Sequence, residues 1–142
     1  MFLTHEEVKA AASAATTRGA TAVMKSLHQR PWAVVSNNSR DSIQSWFLRH
    51  PNVERPTVII GRPAGAPELM KPSPWMIKSA CELLDVPPSA CVLIGDSTTD
   101  VLAARRAGAA VIGFANKPGK EMRLEGADAL IASLDQLIGS RE

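Results

Sequence analysis

Asp96 and Asp100 stand four residues apart, behind Gly95 and around Ser97, Thr98 and Thr99. On a helix that spacing is about one turn, so both carboxylates can face one spot. Two convergent carboxylates among small hydroxyl residues suit a hard cation such as Mg2+. The plainer use of the same residues is capping, with Asp96 at the helix start and Asp100 in the first turn. A second cluster begins at Ser36. Its hydroxyl, with the backbone amides of Asn37 and Asn38, is suited to phosphate oxygens, although Ser and Asn are also ordinary turn residues. Lys71 precedes Pro72, which biases it away from helical geometry. Its ammonium can neutralise a phosphate or a carboxylate, or simply remain a solvated surface charge.

Regular elements must hold these groups. Trp32 to Val35, Thr57 to Ile60, Cys91 to Ile94 and Ala110 to Phe114 are short, unbroken apolar runs. Such runs suit strands buried on both faces. Ala129 to Ile131 reads as a fifth, short strand. Between them lie helical patterns. Thr4 and Glu7 fit a capping box for a helix from Glu6 to about Thr16. Ala20 to Gln29 carries Val23, Met24 and Leu27 on one face and stops at Pro31. Ser39 caps a helix with Ile43, Trp46 and Phe47 inward. Ser73-Pro74 opens one with Ile77, Ala80, Cys81 and Leu84 inward. A helix follows the Asp96 cluster to Ala107, with Gly108 as its stop. Asn116 to Gly119 reads as a loop, and Ser133 to Ile138 as a closing helix. The alternation predicts an α/β fold with a parallel sheet covered on both faces. In such sheets ligands bind outside the carboxyl ends of the strands. Ser36 and Asp96 both follow strands at that end.

The 142 residues suffice for one core, and 45% hydrophobic with 21% charged residues is ordinary for a globular protein. A formal charge of +2, from scattered basic residues, argues against nucleic acid and anionic membranes as partners. No apolar run approaches the roughly 20 residues that span a bilayer. The sequence MFLTHEEVK does not read as a signal peptide, so a cytoplasmic location is the default expectation. Cys81 and Cys91 lack metal-ligand spacing and are expected to be buried, reduced thiols.

A strand ending in Ser36, then Lys71-Pro72-Ser73-Pro74 before a helix, then a strand ending in Gly95-Asp96-Ser97-Thr98-Thr99-Asp100 with Ala104-Arg105-Arg106-Ala107-Gly108 behind it: in this order the sequence resembles motifs two, three and four of the haloacid dehalogenase (HAD) superfamily, over about residues 20 to 116. The resemblance implies a three-layer Rossmann-like fold and phosphoryl transfer through an aspartyl-phosphate, with a small phosphorylated molecule as substrate. It further implies that Ser36 and Asn37 bind the phosphoryl group and that Lys71 offsets charge on phosphate and nucleophile. Asp96 would ligate Mg2+, with Asp100 supporting that site or ligating through water.

The family's first motif, a strand ending in Asp-x-Asp that carries the nucleophile, has no counterpart. No aspartate precedes Asp41. Residues 1–18 therefore read as a cap remnant or helical lead-in, and 19–142 as an incomplete HAD-like core. That core would miss its central first strand, which lies between the Ser36 and Cys91 strands in the family. The flanking strands must then pair directly, gape, or recruit a strand from another chain, which makes a homo-oligomer an expectation. A truncated gene model, a gene fragment or a partner-dependent chain would account for the loss. A non-catalytic phosphate- or metal-binding module is the alternative to an active phosphohydrolase. A dehalogenase needs the same missing nucleophile. A receiver-like domain fits poorly, because its acidic pair belongs near the start of the chain.

Overall fold

The computed structural model describes residues 2–4, 20–27, 30–115 and 117–137. Among these residues six strands form one sheet: β1 (Phe2–Thr4), β2 (Ala33–Val35), β3 (Val58–Ile60), β4 (Val92–Gly95), β5 (Ala110–Phe114) and β6 (Ala129–Ile131). The helices are α1 (Ala20–Ser26), α2 (Arg40–Arg49), α3 (Trp75–Leu84), α4 (Thr98–Ala107) and the one-turn α5 (Lys120–Arg123). The strand order is β3-β2-β1-β4-β5-β6, and every neighbouring pair is parallel.

Alternation along the strands divides the core between two faces. Ala33, Val35, Leu93 and Val111 pack with Ile77, Ala80 and Cys81 of α3 and with Val101 and Ala104 of α4. Val34, Ile94 and Phe114 pack on the other face with Val23 and Met24 of α1 and Ile43, Trp46 and Phe47 of α2. The result is the expected three-layer α/β sandwich. The alternation also explains why the strands read as unbroken apolar runs: both faces are covered.

The expected gap in the sheet is filled. Phe2–Thr4 lies between β2 and β4, with Phe2 opposite both Ala33 and Leu93. The flanking strands therefore neither pair directly nor borrow a strand from another chain, and residues 2–4 belong to the core sheet rather than to a lead-in. Thr4 ends this strand, and the extended backbone of a strand end is also that of an N-cap. A backbone edge buried without partners costs about 1–3 kcal/mol per group, which favours filling the gap from within the chain. The strand that fills the gap still carries no aspartate. The helix expected from Glu6 to Thr16 lies outside the described residues.

The other differences are smaller. Ser39 caps α2 as predicted, accepting from the Ser42 amide. α3 begins at Trp75, two residues later than Ser73. The closing segment is a 3-10 turn, Leu134–Leu137. α5 falls just after the predicted loop and was not anticipated. At the β3 edge, Arg40 Nη1 donates to the Ile59 carbonyl at 2.8 Å, occupying a backbone group that an edge strand leaves exposed.

Candidate active site

Among the described residues, four polar side chains are buried at the carboxyl end of the sheet: Ser36, Lys71, Asp96 and Asp100. All four were singled out from sequence. Burial of this kind is costly unless each group is partnered, and the partners define the site.

Lys71 is its hub. The ammonium donates to Asp100 Oδ1 at 2.6 Å and to the Val35 carbonyl at the tip of β2 at 3.3 Å. Both side chains of the pair are at least 96% buried. The backbone of Lys71 is clasped by Asn37, whose Oδ1 accepts from the Lys71 amide at 3.1 Å while Nδ2 donates to the Lys71 carbonyl at 3.4 Å. The Lys71–Pro72 peptide is cis. The side chain of Asn37 thus positions the lysine, a contact that turn chemistry alone did not suggest. Ser36 donates its amide to Ile60 and accepts the Asn38 amide on Oγ at 3.0 Å. The Asn38 amide is therefore spent within the turn and is not presented to an anion. The hydroxyl proton of Ser36 remains its donor.

Asp100 occupies the third position of α4 and closes a capping box with Ser97. Asp100 Oδ2 accepts from the Ser97 amide at 3.1 Å and hydroxyl at 2.8 Å, while Ser97 Oγ faces the Asp100 amide. The capping role considered for Asp96 falls to Ser97. Gly95 matters for close approach: a Cβ there would lie 2.5 Å from Asp100 Cβ and 2.8 Å from its Oδ2. Only a bare backbone lets Asp100 fold over the strand tip toward Lys71.

Asp96, the next residue, is answered by a different cation. Lys120, on α5, places Nζ 3.1 Å from Asp96 Oδ2. The two carboxylates of the Asp96–Asp100 cluster are thus held by separate ammonium groups. Lys120 was missed from sequence because a lysine beside a Pro-Gly loop is ordinarily solvated. The one available signal was its place after the carboxyl end of β5.

The donor set for a cation is partial. Among the described residues no group of three or more His, Cys, Asp or Glu gathers. Asp96 would offer one buried hard-oxygen ligand, and both oxygens of Asp100 are engaged. Mg2+ commonly takes one or two carboxylates and completes its shell with water and phosphate, so the residues fit such an ion in part.

The haloacid dehalogenase-like hydrolase family matches residues 2–108. The chain belongs to this family. It is 50% identical over 72 residues to a plasmid phosphoglycolate phosphatase of Cupriavidus necator, covering 48% of this chain and 30% of that protein. It is 29% identical over 126 residues to hexitol phosphatase A of Escherichia coli, covering 87% and 56%. The fold superposes on the phosphate complex of CbbY from Rhodobacter sphaeroides with a TM-score of 0.71 and 26% identity, covering 85% of this chain and 55% of that one. The chain thus spans about a third to just over half of the length of these relatives.

Cys81 and Cys91 lie away from these groups, buried with Sγ atoms 3.4 Å apart and not joined. Burial, reinforced by the neighbouring Cys91, pushes the Cys81 thiol up to about 12. It is protonated near neutrality and no nucleophile. No described helix is long and apolar enough to cross a membrane.

Proposed function

We propose that the carboxyl end of the sheet is the phosphoryl-binding half of a Mg2+-dependent phosphatase site that acts on a small phosphorylated metabolite. One observation carries this reading: Lys71 ties the Ser36 turn to Asp100 through two hydrogen bonds from a single buried ammonium. An ammonium has three N–H groups. Two are engaged in the framework, and the third serves an incoming phosphoryl oxygen. Ser36 Oγ donates to a second oxygen while it accepts from Asn38. Asn37 keeps Lys71 in place. Asp96 holds the metal ion, and Asp100 supports that site from behind Lys71 instead of ligating directly. When bound, Mg2+ supplies positive charge that offsets the phosphoryl oxygens. The residues of this chain work by placement and fixed charge. The phosphatase names of the relatives support the substrate class. A reducing cytoplasm suits two unjoined thiols in contact.

Hydrolysis of p-nitrophenyl phosphate with Mg2+ tests the reading. Turnover is expected to vanish in Asp96→Ala, and turnover that survives it removes Asp96 from the site. The lack of any aspartate ahead of Asp41 favours a second reading, a non-catalytic phosphate- or metal-binding module. That reading predicts phosphate binding by calorimetry with no hydrolysis, and trapping an aspartyl-phosphate on this chain excludes it.

A further inference from the structure

The Lys120–Asp96 contact has a role beyond charge balance. We propose that Lys120 is a tethered counter-ion that occupies Asp96 and must leave before a divalent cation binds, so that Lys120 sets the metal affinity of the site. The inference rests on the reading that Asp96 is the metal ligand.

Asp96 is buried at the tip of β4, and a buried carboxylate needs a cation or hydrogen-bond donors. Lys71 is committed elsewhere, 2.6 Å from Asp100 and bonded to the Val35 carbonyl. Lys120 answers Asp96 from 24 residues further along the chain, with Nζ 3.1 Å from Oδ2. A Mg2+ ion sits about 2.0–2.1 Å from its oxygen ligands. An ammonium on the same oxygen would then stand close to a dication and be repelled, so the two occupants exclude each other.

Lys120 is built to yield. Its side chain is 20% exposed, whereas that of Lys71 is 4% exposed. It projects from a helix of four residues, preceded by Gly119 at φ 86°, and among the described residues nothing lies within 4 Å of where a Gly119 side chain would be. Its four-carbon stem is flexible and its charge strongly hydrated. Release moves the ammonium to the rim of the pocket, where the oxygens of a phosphorylated substrate arrive. Metal entry thereby frees a cation for the substrate.

The test uses the full chain and Mn2+ as the probe, with free Mn2+ followed by electron paramagnetic resonance. If Lys120 holds Asp96 in nine molecules of ten, Lys120→Met tightens Mn2+ binding about tenfold, since apparent affinity scales with the competent fraction. Lys117→Met removes an equal charge from the exposed turn just before α5 and is expected to change affinity by about twofold or less, because exposed charges are screened. Metal-free Lys120→Met melts below wild type, and Mn2+ restores its melting temperature. A purely structural ion pair predicts the same loss without rescue. Equal or weaker Mn2+ affinity in Lys120→Met overturns the proposal, as does Mn2+ binding in neither protein. Asp96→Asn separates the two readings. It abolishes Mn2+ binding in both backgrounds if Asp96 is the ligand, and Mn2+ retained there overturns the site itself, whatever Lys120 does.

Discussion

Lys71–Asp100 and Lys120–Asp96 are ion pairs at the same end of one sheet, formed by carboxylates four residues apart. The first is shorter, 2.6 Å against 3.1 Å, and held at every point. Asn37 clasps the lysine backbone, Val35 takes a second N–H, and Ser97 fixes the far oxygen of the carboxylate. The second hangs from a one-turn helix beside solvent. A site that must bind and release ligands needs both kinds: a charge that never moves, to define the geometry, and one that gives way. Adjacent carboxylates in a single motif can therefore serve opposite ends.

The largest expected effect comes from breaking the rigid pair. Lys71→Met leaves the buried Asp100 without its counter-charge, only its Ser97 hydrogen bonds remaining, at a cost of about 3–5 kcal/mol, a large share of the roughly 5–15 kcal/mol that domains possess. Urea unfolding measures it. Lys120→Met, which removes the more exposed ammonium of the two, is expected to cost about 1–3 kcal/mol. Equal losses in the two variants would erase the distinction between the pairs. Gly95→Ala sharpens it further. The added methyl meets Asp100 at 2.5 Å and forces the carboxylate off Lys71, for an overpacking cost of about 1–3 kcal/mol. The prediction fails if Gly95→Ala melts like wild type. Ser97→Ala removes the cap that orients Asp100 and is expected to cost about 1 kcal/mol, with phosphate binding weakened in calorimetry. The smallest effect at neutral pH lies away from both pairs. With its thiol raised to about 12, Cys81 holds its proton more tightly when folded than when unfolded. Stability is therefore complete below the ordinary thiol range and falls as pH rises from about 9 toward 12. Alkaline melting curves check this, and Cys81→Ala removes that component of the decline.

Much of this arrangement was legible in the residues. Strands β2 to β5 are unbroken apolar runs because helices cover both faces, and Ser39 announced α2 by type and place. Ser36, Lys71, Asp96 and Asp100 stood out because such residues at strand tips and before helices are suited to chemistry. Partnerships were less legible. Helical spacing put Asp96 and Asp100 near one another but could not say that different lysines would claim them. Nothing local showed that Gly95 admits Asp100, a contact set by three-dimensional approach. Lys120 gave no sign beyond its place after β5, since its partner lies 24 residues back. Residues 2–4 are too short a run to read as a strand, and only the register with Ala33 to Val35 and Leu93 to Ile94 places them in the sheet.

That register has a consequence for synthesis. Phe2 leaves the ribosome 91 residues ahead of Leu93, its neighbour in the sheet, and 31 ahead of Ala33. At about 5–20 residues per second the longer wait is roughly 5–20 s. During it, β1 can join β2 and β3, but the other side of β1 is an open edge of the sort that chaperones shield and neighbouring nascent chains invade. The middle of the finished sheet is the rim of the half-made one, and translation speed between residues 35 and 92 decides how long that rim stays bare.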